Sequence, residues 1–414
     1  MKYVLINCYS DNNKGDLGII LSTIQFLRGE DSNSEITGIS TYNESDPLYY
    51  SEHRILSEII PVDPAVFGEL NIGVLKNNFV KYLRFLFDTI RLFLFIILPK
   101  KYDLIVFNSN EKKSILKLIA SDCIISKGGS FLCNEKNIRE QLGFIRFSYI
   151  FFILIKYKKR YIIHCQSLGP IYGVIGKKIL NYILSKSDKV ILREDSCIDK
   201  YKYIIIPSEK KEILNDIAFF LIPEKTDFEV NPLKFNIGFT IKNVSEVNKS
   251  AYFEMIIDSI MHCVKNYNAN IYIFPHVTID NDIDSTLEIY KLLSDNLKTN
   301  VFVYSNDYTS SQLKYMYSKM NLFIGTRLHS TIFAMGENVP AICIAYHGTK
   351  AQGVFKNFDS QEFVIEKYNS DLLLKAIDKI ITNKSEQIKL IKYTLNKDYN
   401  RFIDSFKNIC QSNE

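Results

Sequence analysis

Much of what would announce a function outright is missing from this 414-residue sequence. There is no CxxC pair and no cluster of histidines and cysteines at metal-ligand spacing, which argues against a bound metal. The eight cysteines, Cys8, Cys123, Cys133, Cys165, Cys197, Cys263, Cys343 and Cys410, stand singly and mostly inside apolar strand-like runs. They read as reduced core thiols of a cytosolic protein. No glycine pattern matches GxGxxG or a Walker loop. No internal repeat or low-complexity tract occurs. Charge of one sign is also lacking: 51 basic against 46 acidic residues leave +5, too mild and too scattered for a nucleic-acid groove. A local anion site remains open. Residues 1–8, MKYVLINC, have no cleavage-site pattern and read as a first β-strand, so a cytoplasmic location is expected.

Long apolar runs are absent too. Phe79–Lys101, FVKYLRFLFDTIRLFLFIILPKK, is aromatic and apolar but interrupted by Lys81, Arg84, Asp88 and Arg91. Its uninterrupted part, Leu92–Leu98, is far below the roughly 20 residues that span a bilayer. Two readings stay open: a core helix, or a helix lying in a membrane interface with its basic residues at the headgroups, which would make the protein peripheral at the inner face of the cell membrane. Phe147–Arg160 poses the same question.

What is present is an ordinary globular composition, 47% hydrophobic and 23% charged, long enough for two or three domains. Short β-branched runs alternate with longer helical stretches, the pattern of βα units around mostly parallel sheets. Strands are predicted at KYVLINC, EITGIS, YDLIVFN, SDCIISK, RYIIHCQS and KVILRE, with helices at Leu17–Arg28, Lys112–Ala120, Asn137–Lys156 and Ile175–Ser185. A polar stretch with two prolines, Ile222–Lys234, reads as a linker. A second series follows: FNIGFTIK, a helix at Ala251–Tyr267, NIYIFPH, a helix at Ser285–Leu297, NVFVYS, NLFIG, STIFAM, PAICIAY, EFVIEK, and helices from Leu372 to Lys407. The expected fold is α/β, with two doubly wound, Rossmann-like domains facing across a cleft. The first spans 1–222 and the linker 223–234; the second spans 235–385 and is followed by a helical segment, 386–414.

The polar clusters fall just after predicted strands, the edge where ligands bind in open α/β sheets. NNKGDLG follows the first strand, so Asn13, Gly15 and Asp16 either bring backbone amides to a ligand or form a plain turn with Asp16 as a helix cap. Gly128 and Gly129 in SKGGSFL allow a close approach or a tight turn. Arg193 ends KVILR as an anion clamp or as a partner for Glu194 and Asp195, with the salt bridge slightly favoured. His276, near Asp280 and Asp282, suits a substrate or a metal less well than it suits a solvated loop. The fullest cluster is Thr326, Arg327, Leu328 and His329, set where NLFIG meets STIFAM. Arg327 offers a planar fork to phosphate or carboxylate, the helix start adds amide donors, and His329, one of only six histidines, exchanges a proton near neutral pH. Lys350 follows the next strand as a second cation or a surface lysine.

The set NNKGD, GGSFL, QSLGP, LRED, NDIAFFL, FPH and GTRLHSTIFAMGENVPAICIAYHGTKAQG resembles the polysaccharide pyruvyl transferase family, from about Asn12 to Gly353. The last block is the specific one. The resemblance implies a GT-B type fold, phosphoenolpyruvate as donor, no separate cofactor, and a sugar of a bacterial surface glycan or its lipid-linked oligosaccharide precursor as acceptor, joined as a pyruvate ketal. It puts the family's active-site arginine on Arg193, its RLH motif on Arg327, Leu328 and His329, its lysine on Lys350, and its glycine-rich positions on Gly15, Asp16, Gly128 and Gly129. KGGSFL stands where the family often has a longer glycine run. On this reading three cations, Arg193, Arg327 and Lys350, hold the donor and His329 is the acid. Two rivals remain: a GT-B glycosyltransferase using a nucleotide sugar, and a non-catalytic membrane-surface scaffold of a glycan assembly complex.

Overall fold

The computed structural model describes residues 1–44, 46, 48–49, 55–68, 78–278, 280–345 and 350–411. The chain forms two compact units. The first holds Met1–Asp11, Thr23–Leu214 and Ile403–Glu414, and the second holds Asn12–Ser22 and Asn215–Phe402. The change of unit falls between Leu214 and Asn215, so the proline-bearing stretch 222–234 lies inside the second unit.

The first unit is built on seven strands: β1 (Lys2–Cys8), β2 (Glu35–Ser40), β3 (Val62–Asp63), β4 (Cys123–Ser126), β5 (Tyr161–Gln166), β6 (Lys189–Leu192) and β7 (Lys211–Ile213). All pairings are parallel, in the order β3-β2-β1-β4-β5-β6-β7. Its helices are the C-terminal part of α1 (Lys14–Glu30), then α2 (Ile55–Ile59), α3 (Asn78–Ile97), α4 (Ser109–Ala120), α5 (Ile138–Phe147), α6 (Tyr149–Lys156), α7 (Val174–Lys186) and α8 (Ser196–Lys200). The central strands are buried on both faces, as βα crossovers demand, which is why they read as apolar runs rather than alternating ones.

The second unit repeats the plan with six parallel strands: β8 (Phe235–Thr240), β9 (Ala269–Ile273), β10 (Val301–Val303), β11 (Leu322–Gly325), β12 (Ala341–Ile344) and β13 (Val364–Ile365). Their order is β10-β9-β8-β11-β12-β13. Between and after them come α9 (Glu246–Tyr267), α10 (Asp282–Leu292), α11 (Asp295–Lys298), α12 (Ser310–Tyr317), α13 (Leu328–Gly336), α14 (Lys350–Lys356), α15 (Ser370–Thr382) and α16 (Lys384–Gln411). In each unit the strand order reverses once, between β1 and β4 and between β8 and β11, and such a switch point is where open α/β sheets bind ligands.

The last turns of α16 belong to the first unit because Phe406 stacks on Phe26 at 5.2 Å and meets the His164 ring edge-on at 5.3 Å. Apart from short elements it missed, and the helix expected over Ser285–Leu297 that divides into α10 and α11, two elements differ from the sequence reading. YDLIVFN is no strand; Asp103–Val106 is a 3-10 helix. The Asp103 carboxylate is buried and pairs with Lys156 at 2.7 Å while accepting from the Tyr157 hydroxyl at 2.8 Å, so pairing with residues distant in sequence overrides the apolar run. The helix expected over Asn137–Lys156 breaks at Ser148, whose hydroxyl bonds back to the Phe144 carbonyl at 2.8 Å and bends the chain.

Candidate active site

In the second unit the turn from β11 into α13 is dictated locally. A β-carbon on Gly325 would meet Ser330 Oγ at 2.5 Å, so only glycine lets the strand end this sharply. The Ser330 hydroxyl donates to the Arg327 carbonyl at 2.6 Å and lies 2.7 Å from Thr240 Oγ1, tying α13 to the end of β8. Thr326 Oγ1 sits 2.8 Å from the Tyr252 hydroxyl, which accepts from the Lys242 backbone amide at 3.1 Å. Arg327 thus becomes the N-cap of α13, and Leu328 and His329 occupy its first turn, two residues earlier than STIFAM implied.

Arg327 turns its guanidinium to acids. Nε and Nη2 donate to the two oxygens of Asp282 at 3.0 and 2.6 Å, and Nη2 lies 2.8 Å from Asp280. Asp282 is fully buried at the start of α10; burial pushes its carboxyl up while the Arg327 fork pulls it down. The two acids weighed as metal ligands are therefore guanidinium partners, and among the described residues no group of three or more His, Cys, Asp or Glu is placed to hold a metal. Lys242, just beyond β8, feels the same cluster. Burial, then the Arg327 charge, push its amine down to about 8, with Asp280 and Asp282 opposing.

His329 Nε2 lies 3.6 Å from Asp216 Oδ2, an acid with no exposed side-chain surface. Asp216 precedes the short 3-10 helix Ile217–Phe220 and accepts from the Ala218 amide at 3.0 Å through its other oxygen. The His329 ring lies over Gly15: a β-carbon there would come within 2.4 Å of Nδ1. This contact is made by the start of α1, which packs in the second unit. Asn12 and Asn13 pair antiparallel with Val277 and Thr278 beyond β9, and the Lys14 amide donates to the His276 carbonyl at 3.4 Å. The helix cap is Asn13, whose side chain accepts from the Asp16 amide at 3.3 Å; Asp16 is inside the first turn, which corrects its reading as the cap. The Lys14 amine is buried and lies 2.6 Å from Asp307.

His276 is no part of a solvated loop. It is 1% exposed, Nδ1 faces the Tyr317 hydroxyl at 3.2 Å, and Phe333 meets its ring edge-on at 5.3 Å. Burial, then His329, Arg327 and Lys14, hold its imidazole well below its ordinary value, so it is neutral near pH 7. Its Nε2 is buried without a hydrogen-bond partner among the described residues. Lys350 opens α14 after β12, half-buried, and residues 346–349 before it lie outside the described residues.

The first unit carries its own strand-end cluster. Gly128 is buried in a bend, and Gly129 at φ +131° is no tight turn: it prolongs the β4–β5 pairing by a bridge to Gln166, in a backbone region that favours glycine. Arg193 is buried just after β6, Nε donating to Ser167 Oγ and Nη2 to Ser130 Oγ, both at 2.7 Å. Of the two acids weighed as its partners, Glu194 accepts from the Cys197 amide at 3.0 Å and from the Ser196 hydroxyl, while Asp195 precedes α8.

Thus Asn13, Gly15, Asp16, His276, Arg327, Leu328 and His329 come together in one unit, while Gly128, Gly129 and Arg193 form a cluster in the other. The sequence reading assigned no role to Lys14, Asp216 or Lys242. Their signal was available: an acid or amine interrupting or ending an apolar run at a strand's carboxyl edge.

Two doubly wound units of this kind define the GT-B class. Solved structures of that class align over nearly the whole chain: Anabaena HepE in complex with UDP-glucose (TM-score 0.56, 11% identity, 99% of this chain and 97% of that one), a UDP-N-acetylglucosamine 2-epimerase described as putative from Listeria monocytogenes (0.59, 10%, 100% and 97%) and a glycosyltransferase from Rickettsia africae (0.55, 12%, 100% and 99%). At these identities the likeness concerns the fold. The family model of polysaccharide pyruvyl transferase matches residues 13–348, and the chain belongs to that family. The amylovoran biosynthesis protein AmsJ of Erwinia amylovora is 22% identical over 409 residues, covering 93% of each chain. The protein is accordingly a transferase of polysaccharide synthesis, which sets the scaffold reading aside. Among the described residues no helix is long and apolar enough to cross a membrane.

Proposed function

We propose that this transferase moves the pyruvyl group of phosphoenolpyruvate onto a sugar of a surface polysaccharide or its lipid-linked precursor, closing a pyruvate ketal. The observation that carries the reading is an imidazole at the head of a helix with a buried carboxylate behind it, His329 and Asp216, in a chain of this family. One sugar hydroxyl adds to C2 of the donor as a proton goes to its methylene carbon. A second hydroxyl then displaces phosphate, so one donor and two hydroxyls give one ketal and one inorganic phosphate.

In this scheme His329 supplies a proton, and Asp216 orients its ring and balances the imidazolium. Lys242 and the first amides of α13 bind the donor's negative charge. His276, buried and neutral with Nδ1 against the Tyr317 hydroxyl, packs within the cluster without adding charge to it. The Arg327 fork serves mainly to anchor Asp280 and Asp282 beneath the cluster, and Lys350 adds a cation in the same unit. Arg193, fixed by two serines, is assigned to an anionic group bound in the first unit.

The test is incubation of the purified protein with labelled phosphoenolpyruvate and lipid-linked oligosaccharide. Phosphate release matched by an acid-labile carboxylated product, lost in His329→Ala, is expected. Turnover of a nucleotide sugar with none of phosphoenolpyruvate would replace this reading with a glycosyltransferase.

A further inference from the structure

Helix α3 is built inside out. Its polar residues point into the first unit: Asp88 has no exposed side-chain surface and pairs with Arg91 at 2.8 Å, with Arg146 Nη2 at 2.8 Å and with the half-exposed Arg84 at 3.2 Å. Arg91 also pairs with Glu111 and donates to the Val106 carbonyl at 2.9 Å. Phe95 and Leu92 bury beside them. The opposite face, Leu83, Leu86, Ile90, Phe93 and Ile97 at helical spacing, is roughly half exposed or more, reaching 62% at Phe93, with Phe87 beside it at 54%. Scattered exposed leucines are ordinary, but a continuous apolar stripe along about four turns, on a helix that has buried Asp88 and Arg91, is not.

The charge around the stripe chooses its occupant. Between Phe79 and Phe107 the acids are Asp88 and Asp103, and both are buried and ion-paired. The bases Lys100 and Lys101 are exposed at the helix's end, with Tyr102 beside them, and Lys81 and Arg84 reach the surface near its start. An apolar face rimmed by positive charge fits the headgroup boundary of an anionic bilayer. A second copy of the same face would bring like charges together.

We infer that the outward face of α3 docks on an anionic lipid surface, lying in the interface without crossing it. Next to it the first unit holds a cavity of about 620 Å³, which Lys81, Tyr82 and Phe85 of α3 line together with Asn7, Thr41 and Tyr42 at the carboxyl edge of β1 and β2. Docking sets this cavity at the membrane surface. On the pyruvyl-transfer reading, and only there, it is the place for the sugar of a lipid-linked acceptor.

The chain has no tryptophan, so the full-length Phe93→Trp variant reports this face alone. With vesicles of phosphatidylcholine plus phosphatidylglycerol, co-sedimentation and a blue shift of its fluorescence are expected, both weakened by salt. Binding should fall about tenfold or more on pure phosphatidylcholine, in Lys100→Glu/Lys101→Glu, and in Leu86→Glu/Ile90→Glu, whose exposed positions leave the fold intact by circular dichroism. Equal binding to neutral vesicles, no binding to either, or a concentration-dependent dimer dissolved by the same substitutions would overturn the inference. None of these readouts uses phosphoenolpyruvate, so their failure leaves the reaction assignment untouched.

Discussion

The imidazole of His329 rests on the α-carbon side of Gly15, at a point where a methyl group would stand 2.4 Å from Nδ1. Residue 15 is helical, and alanine would ordinarily help a helix by about 0.5–1 kcal/mol. Here it must move the ring instead. Gly15→Ala is expected to lower kcat about 10–100-fold while the protein stays folded, since a misplacement near 1 Å can cost that much. Near-normal kcat, measured by phosphate release, would separate His329 from the chemistry.

Asp216→Asn keeps the oxygen that caps the Ala218 amide and removes only the charge behind His329. If the two act as one unit, His329→Ala costs about 10²–10⁴ in kcat, and adding Asp216→Asn to it costs little more. A double-mutant cycle measures this, and additive losses would mean that Asp216 serves the fold alone.

Lys242 sets a pH dependence. Its amine is cationic below about 8 and neutral above, so the KM for an anionic donor should climb as pH passes that value. Lys242→Met should raise KM about tenfold at pH 7 and flatten the climb. Stability moves the other way. The folded amine titrates near 8 and the unfolded one near 10.5, so between them the unfolded chain holds more protons and stability rises with pH. Buried Lys314, also pushed down to about 8, adds the same sign, so Lys242→Met should reduce this rise in denaturant titrations without abolishing it.

Asp88→Asn tests the interior of the inverted helix. It leaves the guanidinium groups of Arg91 and Arg146 buried without their shared carboxylate, for an expected loss of about 3–5 kcal/mol by urea unfolding. A loss under about 1 kcal/mol would mean that the network is readily replaced by solvent.

The αβ alternation, most strands and the stretch holding Arg327 and His329 were legible because apolar periodicity and strand-end position are local properties. β3, β7 and α12 were missed because the strands are only two or three residues long and α12 has few apolar positions. The break at Ser148 comes from a side-chain hydroxyl bonding its own helix backbone, and the 3-10 turn at Asp103 from a charge pair with a residue far along the chain; apolar periodicity registers neither.

By itself the sequence determined the class of fold and the side chains available for acid and anion chemistry, since these depend on residue type and short-range order. Only the tertiary structure decided which neighbours each has: Asp216, 113 positions before His329, behind its ring; Gly15 beneath it; Asp280 and Asp282 on the Arg327 fork. Those contacts form when crossovers bring strand ends to one edge of a sheet, and burial there fixes which charges pair and which amine gives up its proton early.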